Sequence, residues 1–184
     1  MNEIVFLLEE PSAQAMLEGL LPRLIPSGFY FRFIVFEGKQ DLQAQMVRRL
    51  RGYLVPGARF VILQDKDSND CIKLKRDLVE KCVQAGHPHA LVRIACFELE
   101  CWYLADLPAV EAGLKISGLS SRQNQRICRT PDNFPSPSVT LKRLAPAYQK
   151  ISGSRAIGPH LSLENGRSSS FANFVKGMRR LLEQ

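Results

Sequence analysis

Two aspartates, Asp65 and Asp67, follow directly on the apolar run at residues 60–63. Side chains at positions i and i+2 of an extended chain project to the same side, so both carboxylates can face one ligand. In open α/β sheets, ligands bind beyond the carboxyl ends of the strands, where this pair is expected. Carboxylate oxygens are hard ligands that favour Mg²⁺ or Mn²⁺. The pattern therefore predicts a divalent metal site.

A third acid, Glu9, ends the apolar run at residues 4–8 in the same manner. If the two runs form neighbouring strands, three carboxylates converge, and like charges at that spacing need a cation or shifted pKa values. We therefore expect Glu9, Asp65 and Asp67 to bind the metal ion and to act in catalysis.

A second acidic group surrounds Trp102 and consists of Glu98, Glu100 and Asp106. Glu98 follows closely on a predicted strand, so Glu98 or Glu100 could supply another ligand or position a water molecule. The alternative is a surface helix that is buried through Trp102 and Tyr103. The sequence leaves both interpretations open, and the role of Asp106 with them.

The residues around Asp67 also allow simpler interpretations. Asp67, Ser68 or Asn69 could cap the helix that follows. A calcium-binding loop is excluded, because its sixth position is Asp70 instead of Gly and its twelfth is Arg76 instead of Glu.

A haloacid-dehalogenase-like phosphatase is the stronger competitor. In that enzyme class Asp65 would be the nucleophile and Asp67 the general acid. Against it, no Gly-Thr follows Asp67, and no Asp-Asp motif occurs downstream.

The elements that must position these acids alternate between strand and helix. Strands are predicted at 3–8, 29–36, 60–63 and 90–95, and helices after Pro11 and over 40–54 and 70–85. Apolar runs without alternation are typical of strands buried on both faces of a parallel sheet. The order of the elements predicts an α/β fold.

The chain of 184 residues fits a single domain, 1–184. We expect an α/β core at 1–115, a mobile loop or insertion at 116–137, and a helical C-terminal portion at 138–184. The middle segment is rich in Ser, Arg, Asn and Pro. Helices are predicted near 138–148 and at 169–183, where apolar residues recur at helical spacing.

The composition is that of a globular protein with no membrane association. No apolar run approaches the roughly 18 residues of a membrane helix, and no basic leader opens the chain, so we expect a cytoplasmic protein. The five cysteines include no C-x-x-C pair, which favours reduced thiols.

The net charge of +7 favours a polyanionic partner. Lys150 and Arg155 are weaker candidates for binding a substrate phosphate, and His160, among basic neighbours, has no assigned role.

Glu9-Glu10-Pro11, Asp65-Lys66-Asp67 and the segment 98–106 together resemble the pattern of Toprim domains. More closely, the chain resembles the domain of unknown function 4276 family over nearly its whole length. The resemblance implies a Toprim-like fold, with a largely parallel central sheet flanked by helices and a helical C-terminal portion. Toprim motifs usually have Gly after the first glutamate, where this chain has Glu10-Pro11.

In Toprim topoisomerases, primases and overcoming-lysogenization-defect nucleases, a glutamate follows the first strand and Asp-x-Asp follows a later one. By resemblance these residues are Glu9, Asp65 and Asp67, and Glu100 before Trp102 completes a second ion site. The resemblance implies Mg²⁺- or Mn²⁺-dependent hydrolysis of DNA or RNA, beside an ATPase partner in phage defence. A latent or non-catalytic module regulated by an ATPase and a small-molecule phosphatase remain as alternatives, and a homodimer is left open.

Overall fold

Parallel strands form the centre of the molecule. The computed structural model describes residues 2–183, and its strands are β1 (Asn2–Leu8), β2 (Phe29–Val35), β3 (Arg59–Asp65) and β4 (Leu91–Ala95). They pair in the order β2-β1-β3-β4, and every pairing is parallel. The predicted α/β fold with a parallel central sheet is confirmed.

The central strand β1 shows why its sequence is a continuous apolar run. Alternate residues point to opposite faces of the sheet, and both faces are covered. Ile4 and Phe6 are buried in one hydrophobic core, whereas Val5 and Leu7 are buried in the other. Leu8 contributes to the first core and ends the strand.

Helices cover both faces of this sheet. They are α1 (Pro11–Leu24), α2 (Lys39–Arg51), α3 (Cys71–Gln84), α4 (Glu100–Leu104), α5 (Leu107–Leu114), α6 (Arg126–Arg129), α7 (Pro137–Leu144), α8 (Lys150–Ile157) and α9 (Ser169–Leu182). Buried residues of α2 and α3 belong to one core, and those of α1, α4, α5 and α9 to the other. Within residues 2–183, no helix has both the length and the apolar character needed to cross a bilayer.

The segment 116–137 contains α6 and two short 3₁₀ turns. Gln123 is buried there, where its amide donates to the carbonyl oxygens of Leu104 over 3.0 Å and Cys128 over 2.9 Å. The side-chain oxygen of Gln123 accepts from the Leu107 N–H over 2.6 Å. These bonds tie the segment to the start of α5. The division into core, insertion and helical portion stays a prediction.

The helical C-terminal portion differs from the predicted helices in one place. The helix expected near 138–148 ends at Leu144, because Pro146 disfavours helical geometry in Ala145, whose φ and ψ are −129° and 81°. A separate helix, α8, follows and was not predicted. The last helix, α9, packs Phe171 and Phe174 against the Trp102 ring, with centroids 5.1 and 5.2 Å away.

Candidate functional site

Glu9 and Asp65 meet at the carboxyl edge of the sheet because β1 pairs with β3. Leu8 is in register with Leu63, so the residue after β1 lies beside the end of β3. The backbone N–H of Asp65 donates to Glu9 Oε2 over 3.1 Å. The two strands are therefore neighbours, as the predicted role of Glu9 requires, and their pairing brings two of the predicted carboxylates together.

Asp67 lies on the turn after β3, where its backbone is left-handed with a φ of 50°. Its N–H donates to the carbonyl oxygen of Phe97 over 2.7 Å, which ties the turn to the chain after β4. Lys39, the first residue of α2, places its ammonium 2.6 Å from Asp67 Oδ2. The carboxylate of Asp67 therefore already has a cationic partner at the edge of the site.

Capping of α3 is performed by Asp70, whose carboxylate accepts from the Lys73 N–H over 2.7 Å. The alternative in which Asp67, Ser68 or Asn69 caps this helix is therefore wrong. This leaves Asp67 available for a different role.

Glu100 is buried, with 1% of its surface exposed. The Tyr148 hydroxyl donates to Glu100 Oε1 over 2.9 Å. The second oxygen, Oε2, has no hydrogen-bond partner in the described part of the chain. A buried carboxylate oxygen without a partner is costly, and this oxygen is open to a ligand that would offset the cost.

The site shifts the pKa of three carboxyl groups in the same direction. Burial raises the pKa of Glu9 to about 7. The hydrogen bond from the Asp65 N–H opposes this rise, and the charge of Asp67 adds to it. Burial, together with the charges of Glu9 and Glu100, raises the pKa of Asp65 well above its ordinary range. Burial likewise raises the pKa of Glu100. Carboxyl groups that resist ionisation together are typical of a site that takes up a cation.

A lysine from the C-terminal portion also enters this site. The Lys150 ammonium lies 2.7 Å from Glu10 Oε2, while Glu10 Oε1 accepts from the Ser12 hydroxyl over 2.7 Å. Burial acts to lower the pKa of Lys150, but Glu10, Glu100 and Asp65 together raise it. Lys150 therefore stays protonated among these three acids.

A cavity of about 540 Å³ opens beside Glu100. Lys142, Arg143 and Lys150 line it and supply three cationic side chains around the buried carboxylate. The arrangement can hold an anionic group next to the acidic residues.

Glu98 and Asp106, whose roles the sequence left open, make contacts within the fold. Glu98 Oε2 accepts from the Ser138 N–H over 2.8 Å, at the start of α7. Asp106 caps α5 by accepting from the Ala109 N–H over 3.2 Å, and it also accepts from the Ser162 N–H over 2.7 Å. Both residues therefore fix the positions of chain segments around α4.

Arg155 and His160 lie away from these contacts. The Arg155 guanidinium is 2.9 Å from Glu18 Oε2 on α1, and both side chains are at the surface. His160 is exposed in the 3₁₀ turn Gly158–His160. Of the two weaker phosphate candidates, only Lys150 is brought to the acidic residues.

Lys39 and Glu10 are the charged site residues that sequence reasoning missed. A signal existed for Lys39, because it follows closely on β2 and so lies at the same sheet edge as Glu9 and Asp65. For Glu10, the contact with Lys150 depends on packing between segments 140 residues apart.

The donor chemistry of the site fits a hard divalent cation. Among residues 2–183, no three His, Cys, Asp or Glu side chains are already spaced as ligands of one ion. The carboxylates are nevertheless of the type that Mg²⁺ and Mn²⁺ prefer, and the unpaired Glu100 Oε2 supports a ligand at this place. The residues that would hold such an ion are Glu9, Asp65 and Asp67, with Glu100 beside them.

The family profile described as Domain of unknown function (DUF4276) matches residues 8–179. The chain belongs to the DUF4276 family. This DUF4276 chain is also similar in fold to the C-terminal region of the Burkholderia pseudomallei OLD protein, with a TM-score of 0.50 and 14% identity over 97% of this chain and 98% of that one.

A second similar structure is the C-terminal region of the Xanthomonas campestris pv. campestris OLD protein, with a TM-score of 0.50 and 16% identity over 99% of this chain and 94% of that one. No curated protein sequence matches. At these identities the likeness shows the fold. The predicted relation to the DUF4276 family and to OLD proteins, and the Toprim-like fold, are confirmed.

Proposed function

We propose that this DUF4276 protein is a metal-dependent nuclease that hydrolyses phosphodiester bonds in DNA or RNA. The observation that carries the proposal is the convergence of Glu9, Asp65 and Glu100 beside cationic side chains. Each of these three carboxyl groups has a raised pKa, and one Glu100 oxygen is buried without a partner. Such a site combines ligands for a hard cation with groups that attract phosphate.

Glu9, Asp65 and Asp67 would hold Mg²⁺ or Mn²⁺, and Glu100 would serve a second ion. A bound divalent ion supplies charge neutralisation at the phosphate and a hydroxide nucleophile near neutral pH. Glu9 would either coordinate the ion or, where it does not, exchange a proton with the attacking or leaving oxygen; its pKa of about 7 in the metal-free protein suits the second role. Asp67 pairs with Lys39 through Oδ2, so an ion would bind through the other oxygen or compete with this ion pair.

Lys150 and the cavity beside Glu100 would bind the phosphates that flank the scissile bond. Lys142 and Arg143 are exposed in that cavity and can reach an incoming anion. These side chains position the nucleic-acid backbone through charge and carry no base specificity. The substrate class that fits them is a phosphodiester chain.

We further propose that the activity depends on an ATPase partner in a cytoplasmic defence system against phage. The two structural neighbours are C-terminal regions of larger OLD proteins, which supports a module that works with another domain or chain. The homodimer left open by the sequence has no support from the comparisons and is not proposed.

Cleavage assays test the nuclease directly. Purified protein is incubated with plasmid, single-stranded DNA or RNA, in Mg²⁺, Mn²⁺ or EDTA. We expect metal-dependent cleavage that falls at least about 100-fold in Asp65→Asn, since even the outer partners of metal ligands are worth 10–100-fold. Asp77→Asn is the matched control, because Asp77 lies on the surface of α3 paired with Lys73.

Cleavage that persists in Asp65→Asn would contradict the assignment of this site. Phosphate release from a small monoester, without nucleic-acid cleavage, would favour a phosphatase. If no nucleic acid is cleaved and the protein associates tightly with an ATPase, the latent module would be favoured.

A further inference from the structure

A groove follows the outer edge of β4, on the side of that strand opposite β3. It consists of two adjoining cavities of about 260 and 300 Å³ that share Lys75, Val92 and Arg93. Lys75 belongs to the wall formed by α3, and Asn173 and Gly177 belong to the opposite wall formed by α9. We call this feature the β4-edge groove.

The β4-edge groove is cationic. Lys75, Arg93 and Arg180 line it, and none of the described residues in its lining carries a carboxylate. Within residues 2–183, no salt bridge involves any of these three side chains. The nearby Asp132 uses its two oxygens on the N-terminus of α9. The groove therefore concentrates three cations that have no salt-bridge partner, with the charge of Asp132 beside its Ser170 end.

Arg93 is held in the groove by its surroundings. Its guanidinium is partly buried and donates to the carbonyl oxygens of Asn173 over 2.9 Å and of Val92 over 2.8 Å. Gly177 leaves the space for it, because a Cβ there would lie 2.6 Å from Arg93 Cζ. Burial lowers the pKa of Arg93, and the charge of Arg180 lowers it further. An anionic ligand would relieve this uncompensated charge.

The contact between Arg93 and Val92 decides which kind of ligand fits. The Ala95 carbonyl accepts from the Lys66 N–H at the end of β3. Carbonyls alternate in direction along a strand, so the Val92 carbonyl faces the outer edge. Arg93 donates to that carbonyl and so removes one acceptor that an added peptide strand would need. The groove is thus better suited to a polyanion than to strand pairing.

We propose that the β4-edge groove binds the phosphate backbone of single-stranded nucleic acid. A groove enclosed by two helices admits one strand more readily than a duplex, and its cations can contact successive phosphates. Cys96 lines the inner end of the groove, and the next residue, Phe97, lines a cavity shared with Asp67. A strand in the groove is therefore directed towards the candidate active site.

Fluorescence anisotropy with a labelled single-stranded oligonucleotide tests this proposal in EDTA, where no cleavage interferes. The test variant is Lys75→Gln with Arg180→Gln. The control is Lys73→Gln with Arg179→Gln, because these residues lie on the same two helices but pair with Asp77 and Glu164 outside the groove. Thermal unfolding confirms that both variants are folded.

The logarithm of the binding constant falls linearly with the logarithm of the salt concentration, by about 0.7 per phosphate contact on single strands. Loss of two contacts should therefore make this slope shallower by about 1.4. Over a fourfold rise in salt, wild-type affinity should therefore fall about sevenfold more than that of the groove variant. The control variant should keep the wild-type slope. A duplex of the same sequence should show a smaller difference between the two variants.

The proposal would be overturned if the salt slope fell equally in both variants, or in neither. It would also be overturned if the wild-type protein did not bind the oligonucleotide. Poly-glutamate binding that depends on the groove while oligonucleotide binding does not would assign the groove to an acidic peptide. The nuclease proposal is judged separately. If binding is intact and metal-dependent cleavage is absent, the groove stands and the nuclease assignment fails.

Discussion

Replacing Glu9 by Gln should stabilise the metal-free protein at alkaline pH. The pKa of Glu9 is raised from 4.5 to about 7, chiefly by burial, so ionising this side chain opposes folding. Gln keeps a side-chain oxygen that can accept from the Asp65 N–H, which donates to Glu9 over 3.1 Å. The substitution therefore removes the charge while retaining the hydrogen bond.

The size of the effect follows from the two pKa values of Glu9. A rise from 4.5 to about 7 corresponds to about 3 kcal/mol, at about 1.4 kcal/mol per tenfold change. Glu9 is partly exposed, and solvent screening reduces this to about 2 kcal/mol. Between these pH values the folded protein binds more protons than the unfolded chain, so the wild-type free energy of unfolding falls as pH rises from about 4.5 to about 7.

Urea unfolding in EDTA, followed by Trp102 fluorescence from about pH 5 to about pH 8, measures this difference. The Gln variant should exceed wild type by less than about 1 kcal/mol at the acidic end and by about 2 kcal/mol at the alkaline end. Glu80→Gln, at the exposed surface of α3, is the control and should follow the wild-type curve. Parallel curves for wild type and the Glu9 variant, or a less stable variant at pH 8, would refute the reasoning.

Two further predictions concern the same site. Mg²⁺ should raise the Tm of the wild-type protein, by the equivalent of about 2.7 kcal/mol at a hundredfold excess over Kd. It should have little effect on the Tm of Asp65→Asn, and equal Tm shifts in both proteins would count against a metal site. Tyr148→Phe removes the donor to Glu100 Oε1, so we expect urea unfolding to show a loss of about 1–3 kcal/mol. An unchanged free energy of unfolding in that variant would show that Glu100 does not depend on this bond.

The centre of the sheet could be predicted from the sequence because its inner strands, β1 and β3, are buried on both faces, which leaves continuous apolar runs. The break between α7 and α8 was harder to anticipate. Pro146 gave a usable signal, since it disfavours helix in the residue before it. The helix α8 contains Gly153, which lowers helix propensity. Packing explains this glycine, because the Tyr148 ring occupies the space that a Cβ would take.

The candidate site was predictable only in part. Strand order brings Glu9 to Asp65, and an apolar run followed by an acid reveals each of them. The ion pairs of Lys39 with Asp67 and of Lys150 with Glu10 were not predictable in this way, because they join segments that are distant along the chain. Such pairings depend on how α2 and α8 pack against the sheet edge. The sequence therefore indicated Glu9, Asp65 and Lys150, but not which acids the lysines neutralise.

The register of β4 links the acidic site to the β4-edge groove. Asp65 pairs with Ala95, and Arg93 lies two residues earlier on β4, about 7 Å from Ala95 along the strand at about 3.3 Å per residue. The Arg93 guanidinium faces the outer edge, where it donates to the Asn173 and Val92 carbonyl oxygens, so a bound strand has to connect the two places. Phosphates of a strand that extends from the groove to the acidic site are repelled by ionised carboxylates around Asp65 unless a cation neutralises them. Metal binding and nucleic-acid binding should therefore strengthen each other, and linkage requires the effect to be equal in both directions.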